Sequence, residues 1–471
     1  MSQPPLPLPT SLLPTALLKQ SGERPEEEDG ALGLPVDMRA LIGQGLCVLL
    51  VLLSTLGPFI AGATSEGASE GSLVRQISYL VVLGGVLVWA RPWARGWSLL
   101  MVPLPVLAAL AWCWISLSWA IAPDIAMRRL LLTTMMVWTT FIIVHTGGYR
   151  RASDGLRIAL VITLVANYLT VLIEPNVGMH LGSEWEGSAL AGNWRGLMTH
   201  KNFAGASCAF CMLLFLFDAR HVNLRIRAVV LLLAAFFLYR TVSKTSMGMG
   251  LLAAMVGFAF SKLNREYRLF IIPVAMLVIC AGATYVNGHL DKISTTLAPT
   301  AFTGRGQIWE ALMLYAKDHV WTGAGFGSFW NVGPTSPIFT YGRGFVTTIT
   351  VGHNGYLDLL VTVGLPGVLL IVCGVLLWPL AQILSSRRIS IEKGSLLCAM
   401  VLFCLGHNVT ESSLFERDAL TGVMAVFVAA FAAYSLPKSR SGRSRRSSGD
   451  KSTRQAGKDV MAEMKARARV K

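Results

Sequence analysis

Twelve apolar runs constrain this chain more than anything else in it. They fall at residues 41–63, 73–90, 98–117, 130–146, 158–174, 203–217, 227–239, 247–261, 269–286, 356–384, 395–406 and 419–436. Their apolar residues show no stripe at helical spacing. A helix that is apolar all round is surrounded by protein or by lipid, and twelve are too many for one water-facing core. Composition agrees: 14% of residues are charged and 53% hydrophobic, with a mean hydropathy of +0.55, where a soluble domain carries about 25% charge. The pattern predicts an all-α, polytopic integral membrane protein with about twelve transmembrane helices. Several runs are shorter than the roughly 20 residues of a simple span, so tilting or extension into the loops is expected.

Charge sets the orientation. Short basic links at Arg91/Arg95, Arg150/Arg151/Arg157, Arg220/Arg225/Arg227, Lys262/Arg265/Arg268 and Arg387/Arg388/Lys393 follow every second run. The positive-inside rule puts these links and both termini in the cytoplasm. Residues 1–39, Pro-rich and then acidic, read as a disordered cytoplasmic leader without the order of a cleavable signal. Residues 437–471 read as a basic disordered tail. From 438 onward they hold twelve Lys or Arg against three acids, nine of the chain's fifteen net positive charges. That concentration fits anionic headgroups and argues against a nucleic-acid partner. All eight cysteines lie in apolar runs, so Cys208 and Cys211, though spaced CxxC, read as packing residues.

The opposite, periplasmic face receives the long loops, 175–202 and 287–355. Within the second, residues 304–321 are amphipathic, with Ile308, Leu312, Leu314 or Tyr315, and Val320 on one face, as an interfacial helix would be. This face also carries cations that the charge rule does not explain: Arg128, Arg129, Arg195, Lys201, Arg240, Lys244, Arg305, Arg343 and Arg417. Any one could snorkel to headgroups. As a group they predict an anion pocket, and a diphosphate suits arginine's bidentate, permanent charge.

Three segments sharpen the site. In Arg195–Gly205, His200, Lys201 and Asn202 supply donors at a helix entry, beside a glycine that permits close approach; helix capping accounts equally well for Asn202. In residues 303–309, TGRGQIW, Arg305 precedes the glycine-rich GAGFG of 323–327, whose glycines read as turn formers because no nucleotide-site frame surrounds them. In the third, His353-Asn354 precedes Gly364-Leu-Pro-Gly367 by nine residues, with Arg343 before it and Asp358 one turn after. Histidine ordinarily titrates near neutrality, so this position offers a base for an acceptor hydroxyl. Glu411, beside His407 and Asn408, either orients a base or pairs with Arg417, and the pairing is favoured. No metal-ligand set and no glycosidase-type carboxylate pair appears on this face.

Together these segments resemble the O-antigen ligase/polymerase superfamily, including its Wzy-type and ExoQ-like exopolysaccharide polymerases. His353–Gly367 matches the family's H-N-x9-G-x-x-G at every fixed position. RGLMTHKNFAG at 195–205, TGRGQIW, TESS at 410–413 and the Trp114–Arg129 text support it, across roughly residues 75–425. The resemblance implies a GT-C-like, metal-independent glycosyltransferase without cofactor, built as one domain over 40–436 in the bacterial inner membrane. It would move a glycan from a polyprenyl-diphosphate carrier to a hydroxyl of a second glycan. By the resemblance, His353 activates the acceptor and Arg305 and Arg195 hold the donor diphosphate. His200, Lys201, Lys244 and Arg343 are further candidates for substrate contact, with Asn354, Asp358, Gly364, Gly367 and Glu411 in support. Where the family has Ser-Arg this chain has Ser243-Lys244, which keeps the charge and loses the fork.

The expected partners are the lipid-linked oligosaccharide and membrane lipids, with polysaccharide export or assembly proteins as candidates. An exopolysaccharide polymerase is favoured over a ligase that attaches glycan to lipid A core. A transporter or flippase is the alternative from another class, but it should show repeats or mid-membrane polar residues. A structural partner in a secretion complex is supported by the tails alone.

Overall fold

The computed structural model describes residues 36–60, 73–95, 101–182, 190–288, 305–387, 389–416 and 419–434. It is all-α, with no strand among the described residues and a lone antiparallel bridge between Met179 and Trp194. The main helices are α1 (Val36–Ile60), α2 (Leu73–Ala90), α3 (Leu104–Ile115), α4 (Pro123–Ile173), α5 (Lys201–Leu216), α6 (Leu224–Thr241) and α7 (Lys244–Lys262). They continue with α8 (Arg265–Gly288), α9 (Arg305–Asp318), α10 (Gly355–Val372), α11 (Trp378–Ser385), α12 (Ile391–His407) and α13 (Leu420–Tyr434). Every apolar run named above forms helix over most of its described length, with non-helical residues such as Val102, Pro103 and Phe217 at the run ends. The runs at 130–146 and 158–174 share α4, which breaks at Gly148 (φ 74°) rather than opening into a loop. Nearly all of the leader and all of the tail lie outside the described residues, as do Thr303, Gly304, Arg388 and Arg417.

Among the described residues, four helical stretches are long and apolar enough to cross a membrane: Met38–Thr55, Leu73–Ala94, Pro123–Ile173 and Gly355–Ser385. Burial sorts the helices by neighbour. In α12 every residue from Gly394 to His407 is buried, and in α13 every residue from Leu420 to Ala432, so these two form the centre of the bundle. On α6 and α8 large apolar side chains face outward, among them Leu232 at 71% exposure, Phe270 at 72% and Leu277 at 69%. Such faces suit hydrocarbon and would be an aggregation liability in water.

The bundle has two chemically different ends, separated along α4 by about 30 Å from Arg129 to Arg150 at the helical rise, the thickness of a hydrocarbon core. At the Arg150 end the cations meet acids. Asp154 pairs with Arg150, Arg157 and His221, and Arg220 pairs with Glu392. At the other end the Arg129 guanidinium donates to the carbonyls of Gly327, Trp330 and Asn331 and pins the glycine-rich loop. Gly323, Gly325 and Gly327 all have positive φ, the turn-forming use expected of them.

Over this end α9 packs on α10 with a small core of its own, built from Ile308, Leu312, Tyr315, Phe329 and Val361. The buried face of α9 is Ile308, Ala311, Leu312, Tyr315 and Ala316, whereas Leu314 points outward. Of the two sequence-level options at that position, the face therefore takes Tyr315.

Candidate active site

Glu411 lies in the turn between α12 and α13 and is 5% exposed. Its Oε1 accepts a hydrogen bond from Asn202 Nδ2 at 2.6 Å and faces Arg305 Nη2 at 3.2 Å. Its Oε2 stands 3.7 Å from His353 Nδ1, a buried atom with no hydrogen-bond partner. At 3.7 Å this is an electrostatic contact and not a hydrogen bond. Burial alone would push the Glu411 carboxyl up. The facing His353 ring and the charges of Arg305 and His407 outweigh it and hold the group down at about 2. Glu411 is therefore a carboxylate at working pH, placed between a guanidinium and an imidazole.

Local structure fixes each member. His353 occupies the left-handed region (φ 51°), uncommon for a residue with a side chain and a sign that its surroundings hold it there. The next residue, Asn354, caps α10: its Oδ1 accepts from the backbone N–H of Tyr356 and Leu357 at 3.1 and 3.2 Å. The 408–412 turn is clamped to this helix start. Gly355 N–H donates to the carbonyls of Asn408 and Glu411, and Asn354 N–H donates to Ser412 Oγ. A Cβ on Gly355 would lie 2.4 Å from Asn408 Oδ1, so only glycine lets the two segments meet. Arg305, at the start of α9, also donates Nη1 to the Thr410 carbonyl at 2.9 Å. Since a guanidinium has five N–H donors, these contacts leave donors for a ligand.

A polar seam continues into the bundle. Ser243 Oγ lies 3.0 Å from both Asn202 Oδ1 and Ser246 Oγ, and Ser246 Oγ is 3.4 Å from His407 Nε2. Gly205 makes this possible, because a Cβ there would meet Ser243 and Ser246 at 2.8 and 2.9 Å. The glycine serves the approach of helices α5 and α7. Capping of α5 falls to His200, whose Nδ1 accepts from Asn202 N–H, which leaves the Asn202 side chain for Glu411.

The sequence-level candidates thus divide. Arg305, His353, Asn354 and Glu411 form one contact cluster. Asp358 flanks it, accepting from Trp330 Nε1 at 2.9 Å and from Gly352 N–H at 3.1 Å. Lys201 and Lys244 are each one residue from the bonded pair Asn202–Ser243, with Lys201 Nζ 3.5 Å from the Val242 carbonyl and Lys244 exposed. Arg195 is held by the Val177 carbonyl at 2.9 Å, and Arg343 is exposed on the loop before His353. Gly364 breaks α10, and Gly367 lets Trp112 and Val363 pack where a Cβ would intrude at 2.8 and 2.5 Å. The favoured Glu411–Arg417 pair cannot be compared, since Arg417 lies outside the described residues. The partner that Glu411 does show is Arg305. Sequence reasoning passed over Gly355, Ser246 and Trp330, none of which stands in a spacing that marks it, and it took in Ser412 only as part of TESS.

The family model described as O-antigen ligase matches residues 229–372, a stretch that contains Lys244, Arg305, Arg343 and the whole His353–Gly367 pattern. No curated protein matches the chain. The match and the motif fall on the same helices, so over residues 229–372 the chain is similar to the O-antigen ligase family.

Proposed function

We propose that this protein is a membrane glycosyltransferase that joins lipid-linked oligosaccharide units on the periplasmic face of the inner membrane, as an exopolysaccharide polymerase. The observation that carries the reading is the Glu411-centred contact of Arg305 and His353 at one end of an apolar helix bundle. In this reading the chain crosses the membrane about twelve times between cytoplasmic termini, 1–39 and 437–471, and the loops 175–202 and 287–355 form the periplasmic working face.

The chemistry follows from the groups present. The Glu411 carboxylate favours a proton on His353 Nδ1, which leaves the Nε2 lone pair for an acceptor hydroxyl. The hydroxyl oxygen bonds to the anomeric carbon as the bond from that carbon to the phosphate oxygen breaks. The hydroxyl proton passes to Nε2, and the lipid diphosphate leaves. Negative charge grows on the leaving diphosphate, where Arg305 has donors to spare and Lys201 and Lys244 stand one residue from Asn202 and Ser243. Such preorganised cations make a metal unnecessary for a leaving group this stable. A ligase would run the same step with lipid A core as acceptor.

The test is a strain carrying His353→Ala, with its membrane level checked by blot. Lipid-linked repeat units should accumulate, and long polymer should fall by about a hundredfold or more, the scale of a lost general base. Unchanged polymer at a normal protein level would reduce His353 to a polar anchor and sink the reading.

A further inference from the structure

The reaction needs two substrates, and Arg305 accounts for one. Beside the His353–Glu411 turn lies a cavity of about 430 Å³. It is lined by Gly355, Asp358 and Ser412, near His353 and Glu411 in the chain, and by Arg75, Gln76 and Arg128. Neither Arg305 nor Arg195, Lys201 or Lys244 reaches it. Arg129 also borders the cavity, but its guanidinium serves the glycine-rich loop. The acids facing the space are Asp358, already bound by Trp330 and Gly352, and Glu416.

The cavity opens sideways. Between α2 and α4 runs a second space of about 560 Å³, walled by Leu73, Ile77, Leu80, Met127 and Leu131, which shares Gln76, Arg128 and Leu132 with the cavity. Its wall residues are 41–69% exposed, on helices whose length and composition suit a bilayer. Asp124 stands at its mouth. An apolar lane that ends at arginines and leads on into a polar chamber has the layout of a long-chain lipid phosphate. The chain lies along α2 and α4, and the phosphate meets Arg75 and Arg128, whose charge and forked donors match it. A water-soluble acceptor would have no use for the lane.

We propose that the α2/α4 lane with Arg75 and Arg128 is a second lipid-phosphate site, separate from the Arg305 side. It presents a membrane-anchored acceptor to His353 while Arg305 holds the donor. The site itself stands on the lane and its arginines; its assignment to the acceptor rests on the glycosyltransferase reading above. Two sources share this chemistry, a polyprenyl diphosphate and a phosphorylated multi-acyl lipid.

The experiment is native mass spectrometry of the purified full-length protein with undecaprenyl diphosphate, hexa-acyl lipid A or phosphatidylglycerol as probe. Wild type should hold two copies of undecaprenyl diphosphate, or one together with one lipid A. The first outcome marks a polymerase-type acceptor and the second a ligase-type acceptor. The Arg75→Ala/Arg128→Ala variant should lose one copy while Arg305→Ala loses the other. Leu131→Trp, which fills the lane and keeps both arginines, should weaken the long-chain probe at least about tenfold and leave inorganic pyrophosphate binding unchanged. A wild-type stoichiometry of one, retention of both copies by the double variant, or equal displacement by phosphatidylglycerol would overturn the site. If His353→Ala leaves polymer intact while two-copy binding persists, the glycosyltransferase reading falls and the lipid site remains.

Discussion

At the scale of single residues, Glu411 shows how a buried charge becomes usable. Its carboxyl is held down from an ordinary value of 4.5 to about 2, so the native protein keeps it ionised where the unfolded chain would not. The stabilisation is fully present above pH 4.5 and is lost as pH falls from there toward 2. Thermal unfolding of the detergent-solubilised protein should therefore steepen in its pH dependence over that window. Glu411→Gln should flatten the dependence, and an unchanged slope would mean that Arg305 and His353 do not hold the charge. The same substitution separates a positioning role from a binding one. Glu411→Gln keeps an oxygen for Arg305 and removes the charge that faces His353, so kcat should fall about tenfold or more at a normal membrane level while KM changes little. A rise in KM with kcat unchanged would place Glu411 in binding instead. The sequence marked Glu411 and gave no sign of its contact with Arg305. Its partner Arg305 lies 106 residues upstream, at the start of a helix that only the fold brings overhead. His353 was legible because its asparagine, glycines and proline all shape one helix start, whereas Ser246 and His407 sit on apolar helices that look like any packing surface.

Among the helices, α10 carries the most informative irregularity. At Gly364 the backbone turns to φ 68°, ψ 177°, and Pro366 then begins the second half, a position where a missing N–H costs nothing. Such a break frees polar backbone groups, which hydrocarbon cannot satisfy. Here each has a partner: the Val361 carbonyl accepts from Ala324 N–H, the Leu365 N–H donates to the Val320 carbonyl, and the Val363 carbonyl accepts from Trp112 Nε1 at 2.8 Å. The broken helix is thus the joint between the bundle and the α9 cap that delivers Arg305. Gly364→Ala would place a Cβ 2.3 Å from the Trp321 carbonyl oxygen in a left-handed conformation, and should abolish folded protein in membranes. Trp112→Phe is gentler: it keeps an aromatic ring and strands one carbonyl, for about 1–3 kcal/mol of lost stability. Unfolding midpoints of the purified variant would register it, and an unchanged midpoint would show that another donor replaces the indole. The G-x-x-G spacing announced a break in the helix. The residues that repair it come from α3 and the loop after α9, at sequence distances no local pattern encodes.

Over the whole molecule, the two ends of the bundle hold their arginines differently. At the Arg150 end Arg157 is bound by Asp154 and by the Asp218 carbonyl. At the other end Arg129 braces the glycine-rich loop through carbonyls, and Arg305 joins the Thr410 carbonyl to the Glu411 carboxylate beside His353. The apolar runs made the existence of the helices legible, because in hydrocarbon a helix must satisfy its own backbone, whereas their ends and the joining of two runs in α4 were not. The alternating basic links made the orientation an expectation, and it can be tested without any assay of activity. In a background without native cysteines, Lys244→Cys and Arg343→Cys mark the site end, and Arg220→Cys and Arg387→Cys the other; all four positions are exposed. A membrane-impermeant maleimide should label the first pair in cells whose outer membrane alone is permeabilised, and the second pair only after full lysis. The reverse pattern would put the His353 turn in the cytoplasm, where a periplasmic polymerase could not work. Labelling of all four in permeabilised cells would break the alternation of spans on which the twelve-helix topology depends.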